Sequence, residues 1–276
     1  MELAYGHDLP FEDVGLKHRG SGLAFKHLFL GEENTPGNYL FSLVRQGEFY
    51  SPIHRHNFDQ FRFAYCGDVS LAPDVLLREG ELSYHPEAVY YGPQKDTVGE
   101  RDVLVLQFGG TSGQGYLSFA QLKEGQDDLR KDGRFEGGKF YPAKVGEPID
   151  GHQAIWEHIS GKPLKFPEPR YHSIIIAKPQ SCEWVESKEL GADLKTMGVF
   201  TERQTRADLI RVKANTPTKL RGQDAVQLLF VLRGQGKANE SAVQAETAIR
   251  LPPSTGVDLS SDSELELIRF VLPVLH

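Results

Sequence analysis

Short runs of apolar or alternating residues, separated by Gly, Pro, Asn and Asp, set the pattern of this chain. The first group is AFKHLFLG at 24–31, NYLFSLVRQG at 38–47, HRHNFDQFRFAYCG at 54–67, DVLLREGELSYH at 74–85, VYYGPQ at 89–94 and DVLVLQFGG at 102–110. Runs of this length between turn signals predict strands of an all-β sandwich or barrel. Val103, Leu104, Val105 and Leu106 are consecutive, which reads as a strand buried on both faces. The pattern then changes period. GYLSFAQLKEGQDDLRKDG at 115–133 has helical spacing, with Gly133 as a stop, and GHQAIWEHISG at 151–161 is a second, shorter helix. From about 170 the strand signature returns in YHSIIIA, MGVFTE, DLIRVKA, VQLLFVLRG, TAIRLPP and LELIRFVLP. The expected organisation is a β domain over 1–110 that begins with an extended arm at 1–20, a helical connection over 111–168, and a second β domain over 169–276.

The two β blocks match each other. Gln60, six residues and Gly67 correspond to Gln227, six residues and Gly234, at an offset of 167. Gly80, five residues and Pro86 correspond to Glu246, five residues and Pro252, at an offset of 166. A near-constant offset at two separate places indicates two copies of one domain.

Composition narrows the function classes. The net charge is −7, with both signs mixed along the chain, so nothing favours nucleic acid or an anionic membrane surface. No apolar run is long enough for a membrane helix, and MELAYGHDLPFEDVG has no signal-peptide pattern. The two cysteines, Cys66 and Cys182, are far apart and lack metal-type spacing. They read as buried structural thiols of a reduced, cytoplasmic protein. GGTSGQG at 109–115 lacks the Lys-Ser/Thr of a P-loop, and neither a Ser-His-Asp elbow nor HExxH occurs.

Chemistry concentrates at 54–67. His54 and His56, two apart in a β context, present their imidazoles on one face, which is what a transition metal asks of a β scaffold. Gln60 follows a short turn expected at Asn57–Asp59 and offers an oxygen. Gln60, Arg62, Ala64 and Cys66 share strand parity, so Arg62 faces wherever Gln60 faces. Phe61, Phe63 and Tyr65 then face the other way, toward another sheet or a second subunit. Each feature also has a plainer account: packing histidines at a strand end, Gln60 as an ordinary hydrogen-bonder, Arg62 on a solvated face, Tyr91 as a packed aromatic, Cys66 as a small buried residue.

These motifs resemble the cupin superfamily, and the repeat makes the resemblance one to a bicupin. The first cupin motif is matched by Gly47, one residue further upstream than usual, then His54-Arg55-His56, three residues, Gln60, six residues and Gly67. The second is met by Gly80, five residues, Pro86-Glu87-Ala88, two residues and Tyr91. The resemblance implies two jelly-roll β-barrels, each with a central pocket. It also implies a divalent metal (iron, manganese, nickel or zinc) on His54, His56 and Gln60.

The departures are as informative. Gln60 stands where the superfamily has glutamate, Tyr91 where it has the last histidine, and Ala88 where it has glycine. Gln60 brings no negative charge, and Tyr91 must ionise to ligate strongly. His85 and Gln94 are near enough in sequence to substitute. In the second copy the matching positions are Arg221, Gln223, Gln227 and Val257, and Arg62 matches Leu229. The second barrel is therefore expected to lack metal ligands, with the additional polar groups confined to the first.

The expected function is a metal-dependent small-molecule enzyme, active in the N-terminal barrel, of the dioxygenase, isomerase or lyase kind. Arg62 would orient a carboxylate or enolate substrate, and Tyr91 would donate a proton. The alternatives are a metal-free epimerase or cyclase using His and Tyr, and a non-catalytic small-molecule binding protein. The apolar outer strand faces suggest a homodimer.

Overall fold

The computed structural model describes residues 1–13, 22–110, 112–144 and 146–274; residues 14–20 of the expected arm lie outside them. It consists of two jelly-roll barrels built on one plan. In the first, a six-stranded sheet runs in the order 175–177, 82–85, 58–66, 101–109, 39–46 and 23–30. In the second, the corresponding sheet runs 2–5, 247–251, 227–233, 265–271, 206–212, 192–199 and 185–187. The order is the same in both, and every pairing in these sheets is antiparallel. The offset seen in the sequence thus corresponds to equivalent positions in two sheets. Short strands close each barrel on the other side: 49–51 with 94–96 and 69–72 with 75–77 in the first, and a four-stranded sheet in the second.

The edge strands are exchanged. Glu2–Tyr5 pairs with Thr247–Arg250 of the second barrel. Ile175–Ala177 pairs with Leu82–Tyr84 of the first. Each half of the chain therefore lends one strand to the other half's sheet, at the same edge. An unpaired edge exposes a row of backbone donors and acceptors, so the exchange covers one edge in each barrel.

The alternation read at 58–66 decides what lies where. Phe61, Phe63, Leu104, Leu106 and Phe41 point out of the first barrel and meet Phe200, Leu228, Phe230, Ile268 and Phe270 of the second in one core. Phe61 is central, with its ring 5.3 Å from Phe270 and 5.1 Å from Phe200. Burying an aromatic side chain of this size contributes about 1.5–3 kcal/mol, so this interface is a main source of stability. The apolar outer faces, the ground for expecting a dimer, are taken up within the chain. Lys26 of the first barrel adds an ion pair to Glu246 of the second, at 2.8 Å.

Each barrel also has its own interior. Ala64, Val69, Leu71, Leu77, Val103 and Val105 fill part of the first, and a larger apolar set fills the second. The motif glycines Gly67 and Gly234 both adopt positive φ, 78° and 86°, at the ends of equivalent strands. A Cβ at Gly234 would come 2.3 Å from the Glu264 carbonyl oxygen, so glycine is required there by space as well as by conformation.

Three expectations are corrected. Cys66 and Cys182 are exposed free thiols, not buried ones. For Cys66 the cause is a bulge: Asp102 pairs with Cys66 but Val103 with Ala64, so Tyr65 is an additional residue and the alternation breaks there. The second barrel is not free of buried polar groups, because Arg269, Asp208 and Gln227 form a cluster inside it. The turn expected at Asn57–Asp59 is shorter, since the strand already begins at Phe58.

Between the barrels in sequence lie two helices, α1 (Phe119–Leu129) and α2 (Gly151–Ser160). Ser118 caps α1 in a capping box with Gln121, and Asp150 caps α2 through the Gln153 N–H. The glycine-rich stretch between them forms a small antiparallel sheet, 133–136, 139–142 and 149–150. No helix among the described residues is long and apolar enough to cross a membrane.

Candidate functional site

His54 and His56 lie on an irregular segment rather than within a regular strand. That segment is held by a single bridge, in which the backbone N–H of each of His54 and Tyr91 donates to the carbonyl of the other, at 3.1 and 3.0 Å. A further backbone bond, from Ala88 N–H to His56 carbonyl at 2.8 Å, fixes the same loop to the second motif. Ala88 has φ 67°, and Ser254, its match in the second copy, has φ 62°. Both copies thus hold a left-handed residue at the position where the cupin pattern has glycine, which is the conformation that glycine serves.

Tyr91 is the hub. Its ring centroid lies 4.4 Å from His54, 4.5 Å from His85 and 5.8 Å from His56. Its hydroxyl is 2.8 Å from His56 Nε2 and accepts from Arg62 Nη2 at 3.2 Å. Arg62 can only donate, so the phenol proton is left for His56 Nε2. His54 Nδ1 donates to the Pro52 carbonyl at 2.7 Å.

Gln60 and His85 face each other across neighbouring strands. Gln60 is fully buried, and its Oε1 has no hydrogen-bond partner. His85 is equally buried; its Nε2 meets Ser83 Oγ at 2.9 Å while Nδ1 has no partner. Burial holds the His85 pKa well below the usual histidine value, with the charges of Arg62 and His54 adding to the effect, so His85 is neutral. Gln94 is tied elsewhere, its Nε2 donating to the Ser70 carbonyl at 2.8 Å.

A cavity of about 940 Å³ opens on this wall, lined by His54 and His56 on the barrel side and by Leu122, His152, Ile155 and Phe166 from the connection. His152, near the start of α2, meets Asn57 Oδ1 at 3.1 Å and joins the two walls. Arg62, Gln60, His85 and Tyr91 do not line the cavity but stand behind its histidines. Arg55 does line it, with its guanidinium 3.7 Å from the Phe166 ring and 4.8 Å from the Tyr90 ring. Neither Arg55 nor His152 was legible as a site residue. Arg55 has the opposite parity to the histidines, and His152 belongs to a helix whose partner the sequence does not specify.

Among the described residues no group of three or more His, Cys, Asp or Glu is placed to hold a metal ion. The donors that could hold one are His54, His56 and Gln60, and the unpartnered Gln60 Oε1 fits that use. Two imidazoles and an amide form a neutral set, of the N/O kind that iron, manganese, nickel and zinc accept. In the second barrel the matching Gln227 is occupied: its Nε2 donates to the Arg221 carbonyl at 3.0 Å, and its Oε1 accepts from Arg269.

No protein-family model matches the chain, and no curated protein does. Solved structures do. A "putative dioxygenase" from Nostoc punctiforme is 13% identical, with a TM-score of 0.68 over 99% of this chain and 83% of that one. Bacillus subtilis oxalate decarboxylase, described with Mn(II) centres, is 11% identical, with a TM-score of 0.56 over 99% and 78%. A variant of salicylate 1,2-dioxygenase from Pseudoaminobacter salicylatoxidans is 13% identical, with a TM-score of 0.50 over 84% and 70%. At these identities the likeness is one of fold, and the fold is that of the bicupins.

Proposed function

We propose that this bicupin chain is a metal-dependent small-molecule enzyme whose first barrel is the active one and whose substrate is an organic anion. The supporting observation is one cluster on the interior of that barrel. His56, Tyr91 and Arg62 form a hydrogen-bonded chain, and Gln60 Oε1 lies buried without a partner on the same face as Arg62. The matching interior of the second barrel holds Leu229 and the closed Arg269–Asp208 pair.

His54, His56 and Gln60 would hold the metal. Bound there, it supplies Lewis-acid polarisation of a carboxylate or enolate oxygen. The chain's own residues handle position and protons. Arg62 donates to Tyr91 Oη and stabilises the negative charge left there when the phenol gives its proton to substrate, His56 being committed to the metal in this reading. Neutral His85 packs against the Tyr91 ring and limits its movement without adding charge. The two helices roof the cavity and restrict water. Dioxygenase, isomerase and lyase reactions all use a polarised anion of this kind, and fold does not choose among them.

The 2.8 Å contact between His56 and Tyr91 also favours a second reading, metal-free epimerase or cyclase chemistry with His56 as base and Tyr91 as acid. Metal content as purified separates the two. About one equivalent per chain, lost in a His54→Ala/His56→Ala variant, supports the metal enzyme. Less than a tenth of an equivalent, unchanged in the variant, sinks it. With metal present, oxygen uptake on a panel of carboxylates and phenols divides oxygenase from isomerase, and binding without turnover indicates a binding protein.

A further inference from the structure

Arg55 has no ion pair and no hydrogen bond among the described residues. Its guanidinium is held against two rings on the cavity wall, Tyr90 from the barrel and Phe166 from the chain that follows α2. A guanidinium stacked on aromatic rings spends its flat faces on those contacts and keeps its N–H edge, which matches a carboxylate with two parallel bonds. Lysine offers no such edge.

The rest of the cavity is consistent with an anion whose body is apolar. Of its three carboxylates, Asp96 is ion-paired with Arg101 at 3.3 Å, and Asp150 is committed to capping α2. Glu48 is the third, and Lys95 adds a second lining cation. Phe49, Ile53, Ile155 and Leu164 supply apolar wall. At about 940 Å³ the space is far larger than a two-carbon diacid needs and lies in the range of sites that enclose ligands of some ten to thirty heavy atoms.

We infer that Arg55 is the carboxylate anchor of this cavity, and that the site takes monocarboxylates with an aromatic or similarly bulky apolar body. The inference rests on reading this cavity as the substrate site, and it assigns to Arg55 the anion-orienting role expected of Arg62. Arg62 lies behind the wall and is engaged with Tyr91.

The test is calorimetric titration of the full chain with 2-naphthoate and its neutral isostere 2-naphthamide. The wild type should bind the carboxylate at least tenfold more tightly than the amide. Arg55→Gln should bring that ratio to within twofold of unity while leaving amide affinity within threefold. Arg55→Lys, which keeps the charge and guards against a folding artefact, should retain less than a third of the preference. A wild type without the preference, or an Arg55→Gln variant that keeps it, overturns the inference, as does full preference in Arg55→Lys. The outcome is independent of metal. If the preference depends on Arg55 and the protein carries no metal, the anchor stands and the metal enzyme falls.

Discussion

Tyr91 Oη lies 2.8 Å from His56 Nε2, joining the segments 54–67 and 80–91 through side chains as the His54–Tyr91 bridge joins them through the backbone. Removing that hydroxyl is the most selective perturbation of the site. In Tyr91→Phe the ring still packs between His54 and His85, so the fold should survive with a loss of about 1–3 kcal/mol from removing the hydroxyl's bonds to His56 and Arg62. Turnover should fall by about 10²–10⁴-fold, the usual worth of a general acid. Urea unfolding and kcat on any substrate found by the panel check both halves.

Asp59 gives a pH dependence of stability. It is fully buried on the opposite face from Gln60, and its Oδ1 accepts the Glu87 N–H at 2.8 Å. Burial pushes its carboxyl up to about 7, against the lowering effect of that N–H, with the Glu87 charge raising it further. The Tyr84 hydroxyl and the Arg170 charge also face it and lower it by smaller amounts. With the folded pKa above the unfolded one, the folded state binds the proton more tightly between about pH 4 and 7. Stability is therefore full below the unfolded pKa and is lost as pH rises toward and through 7. A shift of this size corresponds to a loss on the order of 4 kcal/mol. Relative to Asp59→Asn, the wild type should lose stability between pH 5 and pH 8 in urea unfolding. Parallel curves for the two proteins would show that the carboxyl is not titrating in this range.

Phe61 and Phe270 come from different barrels, and their rings lie 5.3 Å apart. Either one changed to Ala should cost about 3–5 kcal/mol. The double variant should cost less than the sum by about 0.5–1.5 kcal/mol, the coupling expected of an aromatic pair. Because the core is shared, unfolding should remain a single transition by both far-UV and near-UV circular dichroism. Two separated transitions would contradict a common core.

Asp208 and Arg269 test the reading of the second barrel as structural. They are buried together, with Nη2 and Nε donating to one carboxylate oxygen at 2.6 and 3.1 Å. Asp208→Ala leaves a buried guanidinium without its counter-ion and should cost about 3–5 kcal/mol. Asp208→Leu with Arg269→Met should cost less. In both variants turnover per folded molecule should equal that of the wild type. A drop in kcat at unchanged folded fraction would give the second barrel a part in the chemistry.

Much of this architecture is legible in the sequence. The alternation through Gln60, Phe61, Arg62 and Phe63 separates interior from interface, because side chains on a strand alternate whatever the fold. The matching offsets reveal two copies of one sheet. Exchange of the strands 2–5 and 175–177 is not legible, since a strand of three or four residues carries no signal for its partner. The role of α1 and α2 as a roof is hidden for a similar reason. Amphipathic spacing shows that a helix buries a face but not against what. The Arg269–Asp208 pair escapes because the second barrel's buried arginine comes from the strand next to the one that carries Arg62 in the first. A single bulge residue turns Cys66 outward, which alternation alone cannot reveal.

If the first barrel alone holds the metal, matched double variants in the two barrels will behave differently. Metal per folded chain should be measured by mass spectrometry in the wild type, in His54→Ala/His56→Ala, and in Arg221→Ala/Gln223→Ala at the equivalent positions of the second barrel. About one equivalent is expected in the wild type and in the second-barrel variant, and less than a tenth in the first-barrel variant. Metal that persists in the first-barrel variant, or disappears in the second-barrel one, would contradict it.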